Sequence, residues 1–306
     1  MLKYMIKRIL LAIPLVLGIS FIVFGLMYLA PGDPVRMLAG REASPAVIAV
    51  IRHEWGFDRP FVIQYFMWLG KVLRGNLGTS VIYNMPVSYM IGSSLPDTLK
   101  LNFWATLIGL AIAFPLGIIA AAKRQTWADY AASAVALLGM SMPSFWLSLV
   151  LIIVFAVKLN LLPTSGTGNW SNYVLPAFAL GFSWAAGLMR MVRTSLLEVL
   201  KEDYIRTARA KGLRESVVLV RHALRNALIP IITVLGTWLA YMIVGTVIVE
   251  TIFAWPGLGR LLTTALMQRD FFLVQAIILM ISVAVVAANL IVDLLYAWVD
   301  PRVRLS

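Results

Sequence analysis

A chain of 306 residues in which 61% of side chains are hydrophobic and only 13% are charged is not a water-soluble domain; ordinary globular chains are about 45–50% apolar and about 25% charged. Its mean hydropathy of +0.87 makes a bilayer the natural solvent. The net charge of +12 then belongs to basic loops beside anionic headgroups rather than to nucleic-acid binding. The lack of cysteine excludes disulfides, thiolate metal sites and thiol nucleophiles.

Taken in chain order, six apolar stretches are long enough to cross a membrane: Ile9–Ala30, Leu99–Ala122, Ala131–Val157, Val174–Met189, Ala227–Val249 and Leu273–Val299. The fourth is the shortest. Backbone polar groups in lipid must be satisfied within the segment, so all six are read as helices and the fold class as all-α, polytopic, with six transmembrane helices. The first stretch follows Lys3, Lys7 and Arg8 like a signal peptide. Its apolar run exceeds the roughly 7–15 residues of a signal core and lacks a small-x-small cleavage site, so it reads as an uncleaved anchor.

Between the first two spans, residues 31–97 form a hydrophilic insertion. Ser44-Pro45 opens a helix toward His53 as N-cap and first position. Arg59-Pro60 ends it, and Phe61–Arg74 follows as an amphipathic helix with Tyr65, Trp68, Leu69, Val72 and Leu73 on one side, lying on the membrane surface or on the protein itself. Gly75 and Gly78 make the next turn.

Orientation follows the basic residues. If the N-terminus is cytoplasmic, so are 1–8, 123–130, 190–226 and 300–306, which hold sixteen Lys and Arg against six Asp and Glu. The opposite side has ten against seven. Both termini are therefore assigned to the cytoplasm. With no linker or repeat visible, 1–306 reads as a single transmembrane domain carrying the 31–97 insertion and a 190–226 cytoplasmic loop.

That loop is the informative segment. Residues 198–230 imply two short helices, the first ending at Gly212, which suits the left-handed C′ position, and the second started with help from Ser216. Thr207, Ala208 and Ala210 are small enough to admit another protein close to the backbone, and the flanking arginines can pair with its acids. The residues alone leave two readings open: a docking element, or a solvated positive loop without a partner.

Tyr204-Ile-Arg-Thr-Ala-Arg-Ala-Lys-Gly212 with Arg221-His-Ala-Leu-Arg-Asn-Ala-Leu-Ile-Pro230 resembles the "EAA" loop of binding-protein-dependent ABC importer permeases, and is most similar to the dipeptide/oligopeptide/nickel family. The family pattern is Glu-Ala-Ala, three residues, then Gly; here Arg206-Thr207-Ala208 stands in its place, so the glutamate is absent. Ala30-Pro-Gly-Asp-Pro34, Glu250-Thr-Ile-Phe-Ala-Trp-Pro-Gly-Leu-Gly-Arg260, Arg269-Asp270 and Asp293-Leu-Leu-Tyr-Ala-Trp-Val-Asp-Pro-Arg302 extend the resemblance over nearly the whole chain.

The resemblance implies a type I ABC importer permease fold in the inner (plasma) membrane. It implies a second homologous permease, two ATP-binding subunits and an extracytoplasmic solute-binding protein as partners, besides membrane lipid. It implies that Tyr204, Arg206, Thr207, Ala208, Ala210 and Gly212 contact the ATPase, with His222 and Arg225 on the helix returning to the membrane. It places Trp255, Arg260 and Arg269 toward the binding protein. Dipeptides, oligopeptides, glutathione, nickel and metallophore complexes are the solutes of that family.

No Gly-x-x-x-x-Gly-Lys-Ser/Thr occurs, so ATP and Mg²⁺ are assigned to separate ATPase subunits and no cofactor to this chain. No nucleophile–base set is visible, which argues against an enzyme. Asp33, Asp97, Glu250 and Asp270, near outer span ends, read as capping or paired residues. Asp293 lies inside the last span; it reads as snorkelling or paired with Arg302, or alternatively as a gate or subunit contact. Leu258, Leu261, Leu262, Ala265 and Leu266 fall at core-packing spacing, and Asn102, Trp146, Trp184 and Trp238 are candidate path-lining residues. The competing class is an ion-coupled secondary carrier acting alone, which needs more intramembrane charge and an internal repeat.

Overall fold

The computed structural model describes residues 2–29, 35, 44–54, 56–228, 230–232, 235–236 and 246–299. Among them the secondary structure is helical apart from one isolated β-bridge, Thr79 to Pro86. Among the described residues four helices are long and apolar enough to cross a membrane, or five if one bent pair counts as a single span. About half of the expected Ala227–Val249 span falls outside the described residues, as do Asp33, Trp238 and Arg302 and the Asp293 side chain. The chain divides into two compact units, Met1–Pro96 with Leu261–Leu290, and Asp97–Arg260 with Ile291–Ser306.

In the first unit, α1 (Leu2–Leu29) packs against α3 (Phe61–Leu73). Phe24 and Tyr65 are buried among Phe57, Phe61, Trp68, Leu69 and Phe271, and Phe21 meets Tyr65 edge to face at 5.1 Å. Hydrogen bonds fix the pairing: Ser20 Oγ lies 2.8 Å from Tyr65 Oη, and Tyr28 Oη donates to Gln64 Oε1. The amphipathic reading of α3 holds for Tyr65, Trp68, Leu69 and Val72. It fails for Leu73, which is 79% exposed because the next residue along a helix turns roughly 100° away from the stripe.

The helix expected after Ser44 is α2 (Pro45–Glu54), with Val47 N donating to Ser44 Oγ at 3.4 Å. The 79–86 turn is tied to the start of the last helix, α12 (Phe271–Val299), by Ser80 Oγ donating to buried Asp270. The other Asp270 oxygen accepts Leu273 N at 3.3 Å, so Asp270 caps α12 as the sequence anticipated for it.

α4 (Val87–Ala122) begins twelve residues before the expected stretch Leu99–Ala122, and its residues from Asp97 on belong to the second unit. That unit continues with α5 (Trp127–Ser141), α6 (Ser144–Leu151) with a π-helical extension Ile152–Lys158, and α7 (Ser171–Val199). The expected straight span Ala131–Val157 is instead broken, with a 102° bend between α5 and the α6 pair. The cause is local. Pro143 lacks a backbone donor, and Met142 before it adopts ψ 119°, outside the helical region.

The expected short fourth span is also corrected. Buried Leu188, Met189, Val192 and Leu196 continue its apolar stripe past Arg190 and Arg193 to Val199.

α4 and α7 approach closely along Ala105, Gly109, Ala113 and Gly117, small residues four apart. A Cβ on Gly181 of α7 would lie 2.5 Å from the Ala105 carbonyl oxygen, and one on Gly117 2.8 Å from that of Met189. Small-residue seams of this kind let membrane helices pack by backbone contact where lipid supplies no hydrophobic drive.

Candidate functional site

The chain leaves α7 through a turn in which Lys201 N and Glu202 N bond to the Glu198 and Val199 carbonyls. It then forms α8 (Asp203–Ala210). Ile205 and Ala208 face inward, 0% and 6% exposed, into a core with Ala120, Ala121, Val192 and Leu196. Fully burying an isoleucine side chain contributes about 1.5–3 kcal/mol, so this two-turn helix is held by its inner face. Tyr204, Arg206, Thr207, Arg209 and Ala210 lie outward. Ala208, expected on the docking surface, is therefore a packing residue, since it follows Ile205 by three on the same helical face.

Gly212 ends α8 with φ +74°, as its expected left-handed position requires. After it come α9 (Glu215–Val217) and a π-helical stretch, Val218–Leu224. Ser216 lies inside α9 rather than at its cap, which is Arg214 without a side-chain capping bond.

Two clasps close the knuckle. Arg209 forks onto Glu215 with Nη2 to Oε1 at 2.6 Å and Nε to Oε2 at 3.1 Å, and the guanidinium holds the Glu215 carboxyl below its ordinary pKa. Asn226 Nδ2 donates to Tyr204 Oη at 2.7 Å. His222 is half-buried and Arg225 exposed on the departing helix.

The base of α7 has a further anchor that the sequence reading missed. Arg193 Nε and Nη2 donate to the two oxygens of Asp129 at 2.7 and 2.9 Å. Asp129 is 3% exposed and also accepts Gln125 N at 3.0 Å. The 123–126 turn, α5 and α7 thus meet at one charge pair beside the α8 core.

Of the residues expected to face a delivery protein, Trp255 is corrected. It is fully buried, its ring 4.6 Å from that of Tyr173, and its indole N–H donates to the Asp97 carbonyl at 3.0 Å. An apolar ring with one polar atom is best satisfied inside when that atom finds an acceptor. Arg260 is exposed beside it, donating to the Ala254 carbonyl. Arg269 is exposed in the first unit with φ +59°.

The loop carrying Trp255 folds around Glu250 of α10 (Val247–Ile252), which is fully buried. Its carboxylate accepts Thr98 Oγ1 at 2.7 Å, Gly259 N at 2.6 Å and Arg260 N at 3.1 Å. A remote carboxylate thereby caps α11 (Leu258–Gln268). Gly257 and Gly259 are required, because a Cβ there would lie 2.4 Å from Glu250 Oε2 and from Val247 Cα respectively. The sequence reading of Glu250 as a paired residue is supported; its partners were not legible. Among the described residues no three His, Asp or Glu side chains assemble as metal ligands.

Comparison with known proteins bears on these elements together. Residues 113–305 match the family described as binding-protein-dependent transport system inner membrane component, and residues 1–107 match its N-terminal companion. The chain is 43% identical over 308 residues to the glutathione transport system permease protein GsiC of Pectobacterium atrosepticum, covering 99% of each. It is 42% identical to the proteins of that name from Salmonella choleraesuis and Escherichia coli K12, with the same coverage. The fold resembles a chain of the MetNI methionine ABC transporter in an inward-facing conformation, with TM-score 0.60 and 18% identity over 69% of this chain and 97% of that one. It also resembles a chain of an amino acid ABC transporter, with TM-score 0.56 and 18% identity over 69% and 94%.

Proposed function

The chain belongs to the binding-protein-dependent transport system inner membrane component family, and from that premise we propose that it forms half of a translocation pore and is driven by ATPases through α8. Its role is that of an inner-membrane ABC importer permease, in transport rather than catalysis. In the proposed arrangement both termini and residues 190–226 face the cytoplasm. A second homologous permease completes the pore, and two ATP-binding subunits carry ATP and Mg²⁺. An extracytoplasmic binding protein delivers solute, and Arg260 in the second unit and Arg269 in the first are each proposed to face it.

The observation that supports coupling is the two-faced construction of α8. Its inner residues Ile205 and Ala208 share a core with the ends of α4 and α7, while Arg206, Thr207 and Ala210 stand outward. A partner that grips the outer face and moves must displace α4 and α7 as well, because the shared core has no slack. Closure of two ATPases around ATP then becomes rocking of the spans. Tyr204 and Gly212 keep the grip rigid, and His222 and Arg225 flank it on the returning helix.

The solute is proposed to be glutathione or another short peptide, chosen mainly by the binding protein. Identity above 40% over full length to glutathione permeases supports this. Reconstituted vesicles test both parts. Uptake of glutathione or a dipeptide is expected only with ATPases, ATP and the binding protein together. Uptake by this chain alone, driven by an ion gradient, would establish the secondary-carrier reading instead.

A further inference from the structure

The aromatic cluster of the first unit lines a partly open cavity of about 40 Å³, bordered by Phe24, Gln64, Trp68, Lys71, Phe272 and Gln275. The two glutamines differ. Gln64 is engaged at both ends, accepting from Tyr28 and donating to the Arg59 carbonyl at 2.7 Å. Gln275 is only 5% exposed, and its Nε2 finds no acceptor among the described residues. Buried amide N–H groups are nearly always satisfied, so an acceptor oxygen belongs in this space.

The position of the cavity says which oxygen. Phe24 lies five residues before the end of α1, and Gln275 four residues after the start of α12. At 1.5 Å per residue each is within about 8 Å of its span's end. Trp68 and Lys71 come from α3, which is outside the candidate spans. The site is therefore level with the boundary between headgroups and hydrocarbon, where aromatic and basic side chains meet phospholipid.

We propose that this cavity binds the head of a membrane phospholipid. A phosphate or glycerol-ester oxygen accepts from Gln275 Nε2, the exposed Lys71 ammonium balances the charge, and the rings of Phe24, Trp68 and Phe272 cover the glycerol and first methylenes. The inference rests on membrane location and is independent of coupling through α8.

The test uses the assembled transporter, delipidated in detergent and titrated with phosphatidylglycerol or with inorganic phosphate. Native mass spectrometry counts retained lipid, and thermal unfolding reads stabilisation. Gln275→Leu removes the buried amide at similar volume, and Lys71→Glu alters an exposed position, so both variants are expected to fold. Phosphatidylglycerol should stabilise the native protein, and each variant should bind it about tenfold or more weakly, the scale of one charge-assisted hydrogen bond. Equal responses in all three proteins would overturn the proposal. So would an equal effect of inorganic phosphate, or a lone ordered water in the cavity with lipid retention unchanged.

Discussion

Gly212 offers the sharpest test of the knuckle. Its φ of +74° lies where side chains with a Cβ are disfavoured, yet a Cβ there would meet nothing within 4 Å. Any defect on substitution must then come from backbone conformation and not from crowding. Asparagine tolerates this region well, alanine is destabilised by about 1 kcal/mol, and valine, stiff at χ1, by about 2 kcal/mol or more. Two kilocalories per mole is about a 30-fold shift between ordered and disordered forms of a segment held by two surface clasps. In reconstituted transporters, uptake per ATP hydrolysed should fall in the order native, Asn, Ala, Val, with equal amounts of assembled complex compared. A valine variant that transports normally would refute the reasoning. An asparagine variant as impaired as valine would refute it too, by showing that the position is limited by space.

Other substitutions probe the supports. Glu250→Ala strands the Gly259 and Arg260 amides and the Thr98 hydroxyl in a buried site, so thermal stability should fall by about 2–4 kcal/mol, with Thr98→Val milder; unchanged melting would contradict the capping role. Gly181→Ala must push its Cβ against the Ala105 carbonyl and should lower the melting temperature, whereas Gly92→Ala, which meets nothing within 4 Å, should not. The Arg209–Glu215 clasp, with both side chains partly solvated, is worth at most about 1 kcal/mol. Because its folded pKa is depressed, its contribution is present above the unfolded value, about 4.3, and lost as pH falls through the lower folded value. A spin label at Leu213→Cys should therefore gain mobility in acid, as pH falls below the ordinary glutamate range, and Glu215→Gln should show that mobility already at neutral pH.

Periodicity alone made much of this fold legible. Apolar length located α1, α12 and the part of α4 from Leu99 on, although α4 begins at Val87. Ser44-Pro45 marked the start of α2 and Pro60 that of α3, while α2 stops at Glu54, ahead of Arg59-Pro60; and Gly212 announced a left-handed stop. The failures share a cause. Arg190 and Arg193 read as a loop by charge alone, although Met189, Val192 and Leu196 continue the apolar stripe of the helix. Met142-Pro143 is a break signal inside an apolar run whose length alone predicts one continuous span. The seam Ala105, Gly109, Ala113, Gly117 was visible as spacing but names no partner helix. Trp255 was misplaced because burial of an aromatic ring depends on a distant acceptor, the Asp97 carbonyl. Nor does the sequence announce that Asp129 and Arg193, 64 residues apart, meet.

The central claim is that α8 is gripped on one face by an ATPase while its other face belongs to the permease core. The chain has no cysteine, so single cysteines can be placed along α8 without background. In the assembled transporter, Arg206→Cys, Thr207→Cys and Ala210→Cys should crosslink to the ATP-binding subunit in a nucleotide-sensitive manner, and Ile205→Cys and Ala208→Cys should not. Crosslinks at none of the outward positions, or equally at all five, would contradict it.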